Sequence, residues 1–165
     1  MPERPSTLWK RLPADKRVVA ADAFWRDTES PDIAAQHMEA LGILARRLNF
    51  RAKSVQALSP DRRAKYLAQV VDISDAIATR ALIAYHFAHQ RELMAAFLNA
   101  LGITHEEGLI TADELAPPEA AAVAAAAAAV KDRFPGDDVD LYLRTLSTLD
   151  GDTWGQIDQL LAPLA

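Results

Sequence analysis

Three histidines are the residues of this chain best suited by type to chemistry. His86 and His89 stand three apart in RALIAYHFAHQRE, which places two imidazoles on neighbouring turns of one helix face, and His37 lies in PDIAAQHMEALGILARRLNF. Imidazole nitrogens suit zinc and other borderline transition metals. His37, His86 and His89, completed by a loop carboxylate such as Glu106, are therefore candidates for a metal or small-ligand site. The pattern stops short of a full ligand set. HxxH supplies two ligands only, HExxH is absent, and no Glu stands three residues before any of the four histidines, as paired-helix carboxylate centres require. The expectation is no metal and no cofactor, with neutral imidazoles bonded to carbonyls or carboxylates.

Other reactive constellations are missing as well. The chain has no cysteine, which removes disulfides, thiolate zinc sites and thiol nucleophiles. It has no glycine-rich phosphate loop, no GxSxG elbow and no carboxylate pair spaced for acid/base work. The acidic turns Asp137-Asp138 and Asp150-Gly151-Asp152 read as helix caps, because a calcium loop needs more oxygen ligands and a terminal Glu. No catalytic residue is assigned, and the reading leans away from an enzyme.

Charge offers a second kind of chemistry. Between Arg46 and Lys65, RRLNFRAKSVQALSPDRRAK, there are seven basic residues and one acid. Arg46, Arg47, Arg51, Lys53, Arg62, Arg63 and Lys65, with Arg80 further on, are the candidates for gripping phosphates. Net charge is −5, but residues 1 to 102 carry 15 basic and 11 acidic side chains and residues 103 to 165 carry 3 and 12. The halves are thus +4 and −9. Such a division suits an anionic partner or attraction between parts of one fold.

The stretch after the basic run, LAQVVDISDAIATRAL (67–82), resembles the helix-turn-helix form. Leu67 and Ala68 would open its first helix, Ile73 and Ser74 would leave the turn, and Arg80 and Leu82 would lie on the recognition helix. Asp72 stands where the turn glycine is usual. YHFAHQRELMAAFLNAL (85–101) locally resembles the join between DNA-binding head and following helix in tetracycline-repressor-type regulators. The two resemblances place a recognition helix in different registers. Either implies a DNA-binding regulator.

The elements that must position these groups are helical. Apolar residues recur with a 3.6 period in almost every segment, and no run alternates as an exposed strand does. The expected fold is all-α: a compact single-domain bundle, 1–165, of about seven helices around a long central helix at about 75–101, with a possible internal division at the loop 103–118. Pro13, Ser30-Pro31 and Ser59-Pro60 mark helix starts, and Gly102 marks a left-handed helix end. The last helix should turn Trp154, Ile157, Leu161 and Leu164 inward. His37, in mid-stripe on its helix, is the histidine expected to be buried.

The alanine run Ala120–Val130 is too short to span a bilayer and reads as a helix that neighbours approach closely. With no secretory layout in MPERPSTLWKRLP, the expected setting is cytoplasmic, without membrane. The functional expectation is a non-enzymatic protein that binds a protein partner or itself, a homodimer being the form that self-association would take. DNA binding through 46–65 and 67–82 is the alternative, and ligand binding at the histidines a second one.

Overall fold

Most helix ends foreseen from local signals are helix ends in the computed structural model, which describes residues 3–161. The fold is all-α: ten α-helices and a single two-stranded hairpin among the described residues. Leu164, expected to face inward, lies outside them. The chain forms two compact units divided between Tyr85 and His86. The loop 103–118 lies wholly inside the second unit.

The first unit, residues 5–85, holds α1 (Pro5–Arg11), α2 (Ala14–Arg26), α3 (Ile33–Leu48), α4 (Ala52–Gln56), α5 (Pro60–Ala68) and most of α6 (Asp75–His89). Its principal packing is α2 on α5, with α3 against α4 and α5. Ser59 caps α5 by accepting from Arg62 N at 3.3 Å, with Pro60 in the first turn as its sequence implies. The Ser30-Pro31 signal is not used in this way. Asp32 sits at φ 60°, and α3 starts one residue later at Ile33, whose N–H bonds the Ser30 carbonyl at 3.2 Å. A turn there replaces the expected first helical residues.

α1 carries no long apolar period and was not foreseen, yet it fastens the α5–α6 turn. Buried Trp9 donates its indole N–H to Val70 O at 2.8 Å, and Ser6 N donates to Asp75 Oδ1 at 3.0 Å. From α2, Arg17 Nε donates to Ala68 O at 2.8 Å. Ser74 caps α6 through Ile77 N at 3.3 Å.

The second unit comprises Glu3, Arg4 and residues 86–161. Its core joins Leu93, Met94, Phe97 and Leu98 of α7 (Arg91–Ala100) to α8 (Ala120–Lys131), α9 (Gly136–Leu149) and α10 (Gly151–Trp154). The alanine helix α8 buries Val123, Ala126, Ala127 and Val130, a stripe at i, i+3, i+4 and i+7, as a packing helix should. Asp150 Oδ1 caps Thr153 N at 3.2 Å, and the chain continues as a 3₁₀ segment, Gly155–Gln159. Asp137 and Asp138 sit in the first turn of α9, whose N-cap position is taken by Pro135; Gly136 belongs to the helix rather than to a turn before it. Trp154 and Ile157 are buried and Leu161 is half-buried against the same core.

The single helix expected over 75–101 is two helices. α6 ends at His89, Gln90 departs to φ −128° and ψ 25°, and α7 begins at Arg91. At this break Arg91 Nε donates to Phe87 O at 2.6 Å, the carbonyl that Arg91's own N–H would bond in a continuous helix. Gly102 then closes α7 at φ 69°, with Ile103 N bonded to Leu98 O and Gly102 N to Asn99 O, the paired bonds of a Schellman end. After it, β1 (His105–Glu106) and β2 (Leu109–Ile110) pair across Glu107-Gly108, both at positive φ.

Candidate nucleic-acid interface

The basic run divides among three neighbouring pieces of the first unit: the end of α3, α4 with the residue before it, and α5. Arg46, Arg47, Arg51, Lys53, Arg62 and Lys65 are all exposed. None of these six forms an ion pair or side-chain hydrogen bond with a described residue. Asp61, the one acid within the run, faces Arg26 at 3.3 Å instead. Arg63 differs from the six. It is half-buried, with its guanidinium 5.0 Å over the Trp25 ring, where it serves the packing of α5 on α2.

Helix dipoles explain part of this arrangement. Arg46, Arg47 and Lys65 lie in last turns, where a cation gains about 0.3–1 kcal/mol from the negative helix end. Arg51 immediately precedes α4 and Arg62 is in the first turn of α5, where the same dipole disfavours a cation. Structure within the unit therefore accounts poorly for those two. Arg62, Lys65, Tyr66 and Gln69, at i, i+3, i+4 and i+7 along α5, line an open groove of about 300 Å³.

Phe50 lies within the same run and is 45% exposed. α3 ends in a left-handed Asn49 at φ 54°, with Phe50 N bonded to Ala45 O at 2.9 Å and Asn49 N to Arg46 O at 3.4 Å. This Schellman end fixes the backbone that carries Phe50. Arg46 and Arg47 are one turn before the ring, Arg51 is next to it, and Lys53 follows. Exposure of this ring is not legible in the sequence; its position inside a cation-rich run is the signal the sequence does carry.

Arg80 and the turn behave otherwise. Arg80 Nε donates to Gln36 Oε1 at 3.3 Å and its Nη2 to Pro31 O at 3.5 Å. Partial burial alone would raise the Asp27 carboxyl, but bonds from Ser30 and Glu29 together with the charge of Arg80 hold it below its ordinary value. Arg80 is thus engaged with the α2–α3 connection. Leu67 and Ala68 close α5 instead of opening a helix, and Ile73 is buried. The start of α6, from which a recognition helix would enter a groove, is tied to α1 through Asp75. In 85–101 the junction is the Gln90 break.

Two of the three histidines pack against other rings. His37 is half-buried rather than buried, and its Nε2 lies 2.7 Å from Phe24 O; a carbonyl only accepts, so Nε2 carries the proton. Its ring packs against Phe24 at 4.8 Å and Trp25 at 5.3 Å. His86 is the buried one, at 3% exposure, 5.5 Å from the ring of Tyr142, whose phenol burial pushes far above its usual pKa. His89 is exposed. Glu106 is exposed on β1, while its neighbour Glu107 pairs with Arg91. Among the described residues no three His, Asp or Glu side chains gather as a metal ion would need. No helix of the described chain is long and apolar enough to cross a membrane. No protein-family model, curated protein or solved structure matches this chain.

Proposed function

We propose that this protein is a non-enzymatic nucleic-acid-binding protein that grips the phosphate backbone with the end of α3, α4 and α5. The observation that carries the reading is the set of six exposed cations that form no ion pair with any described acid. On binding, such cations displace the counterions condensed along a phosphate backbone, and that release favours the complex. Base reading by α6 has no part in it, because Arg80 is engaged within the unit and α1 is bonded at the start of α6.

The net charge of −5 does not defeat this. By residue count the first unit carries 13 basic and 9 acidic side chains, +4, and the second 5 and 14, −9. At physiological salt the Debye length is about 8 Å, so a phosphate among these side chains responds chiefly to charges within about that range. The test is anisotropy of a labelled 20-nucleotide strand, alone or annealed to its complement, titrated with the full chain at several salt concentrations. Six contacts predict a log–log salt slope of about −5 on duplex and about −4 on single strand. Arg62→Glu with Lys65→Glu should weaken binding at least about tenfold and flatten the slope by roughly 2. If neither nucleic acid binds at low salt, or if binding ignores salt, the reading fails.

Self-association is a second reading, favoured by Met38. It is 65% exposed on α3, with exposed Ala34 and Ala35 one turn before it and Gly42 one turn after, where an added Cβ would meet nothing. This smooth apolar strip suits a second copy of the chain. Sedimentation velocity should then show a dimer at micromolar concentration that Met38→Glu converts to monomer. A parent protein that remains monomeric throughout removes this reading.

A further inference from the structure

We infer that the nucleic acid bound by this surface is single-stranded, and that Phe50 is a stacking platform for one of its bases. The inference rests on the phosphate-gripping reading above and adds to it the class of strand. Cations alone do not choose between duplex and single strand, since both present phosphates. An exposed aromatic ring does. In a duplex the base faces are already stacked on one another, whereas an unpaired base offers its face to Phe or Tyr.

Phe50 meets the requirements of such a platform. The Schellman end of α3 holds its backbone, so the main chain needs no further ordering when a base arrives. Nearly half of its surface is open, and four exposed cations, Arg46, Arg47, Arg51 and Lys53, lie within four residues of it. A second aromatic, Tyr66, lines the α5 groove beside Arg62 and Lys65. Ring and cation thus recur together at two places on the run. That combination tracks an unpaired strand, with phosphates on the cations and bases on the rings. Stacking and phosphate contact do not distinguish ribose from deoxyribose, so oligo(U) and oligo(dT) share the chemistry.

The test uses the full-length protein with labelled 20-mers of dT, of U, and of a mixed-sequence DNA duplex, in the same buffer. Single strands are expected to bind at least about fivefold tighter than duplex, with any preference between dT and U naming the strand met in the cell. Phe50→Ala should weaken single-strand binding about tenfold while leaving duplex binding and the salt slope unchanged. Phe50→Trp should retain affinity, and its indole emission should be quenched as a base stacks. Because Phe50 is half-exposed, both variants should keep the parent's circular dichroism and melting point. Duplex binding tighter than single strand, or a Phe50→Ala variant equal to the parent on single strands, overturns the inference while leaving phosphate binding intact. Failure of every nucleic acid to bind overturns both.

Discussion

Replacing Trp9 with alanine is expected to cost the first unit about 3–5 kcal/mol, the usual loss for a fully buried aromatic residue. Trp9 is completely buried, and it is the side chain by which α1 holds the α5–α6 turn. Two effects combine in it. The ring fills space among packed neighbours, and the indole N–H satisfies Val70 O, a buried carbonyl 61 residues away in sequence. Trp9→Phe separates them. It keeps most of the apolar ring but leaves that carbonyl without its donor, a loss of about 1–3 kcal/mol. A domain's whole stability is commonly about 5–15 kcal/mol, so the alanine variant should populate unfolded forms near physiological temperature while the phenylalanine variant remains folded. Urea unfolding followed by far-ultraviolet circular dichroism measures both. A Trp9→Phe variant as stable as the parent would show that the bond to Val70 contributes nothing net.

Trp9 also marks where sequence reasoning loses sight of the molecule. Signals confined to a few consecutive residues were legible: Ser59 before Pro60, Gly102 at the end of α7, the Asp150 cap and the Val123–Val130 stripe are all used as their chemistry suggests. Each is a matter of one turn of chain. What escaped notice depends on competition or distance. At the Gln90 break an arginine side chain bonds a carbonyl that a backbone N–H would hold in a continuous helix, and periodicity holds no record of that exchange. α1, of seven residues, is too short to show a period, and its anchoring bonds reach 61 and 69 residues along the chain.

The candidate site divides along the same line. That residues 46–65 are cationic is a matter of composition and was legible. That six of the seven cations are exposed and unopposed while Arg63 packs on Trp25 depends on how α5 meets α2. The fate of Arg80 depends on Gln36, 44 residues distant. His37 falls short of its expected burial for a similar reason. His37 sits on the expected stripe, yet its ring stays near the edge, reaching Phe24 O, while His86 is enclosed by neighbours such as Tyr142 from another helix.

In the second unit the largest effect of a small substitution is expected at Gly108. It occupies φ 93° at the tip of the β1–β2 turn, and a Cβ added there would lie 2.7 Å from Met94 Cε and 2.9 Å from Met94 Cβ. The first contact is with the tip of a flexible side chain, which can swing away. The second cannot be relieved in this way, because Met94 Cβ moves only with the backbone of α7. Gly108→Ala therefore combines positive-φ strain of roughly 1–2 kcal/mol with overpacking of about 1–3 kcal/mol. Gly102→Ala supplies the control. It has φ 69° but nothing within 4 Å of an added Cβ, so it should show the strain alone, about 1–2 kcal/mol. Thermal unfolding of the two variants beside the parent gives the packing contribution as their difference. Roughly 2–4 °C of melting temperature corresponds to each kcal/mol in a chain of this size. If Gly108→Ala melts no lower than Gly102→Ala, the hairpin moves freely away from α7 and does not close tightly over Met94.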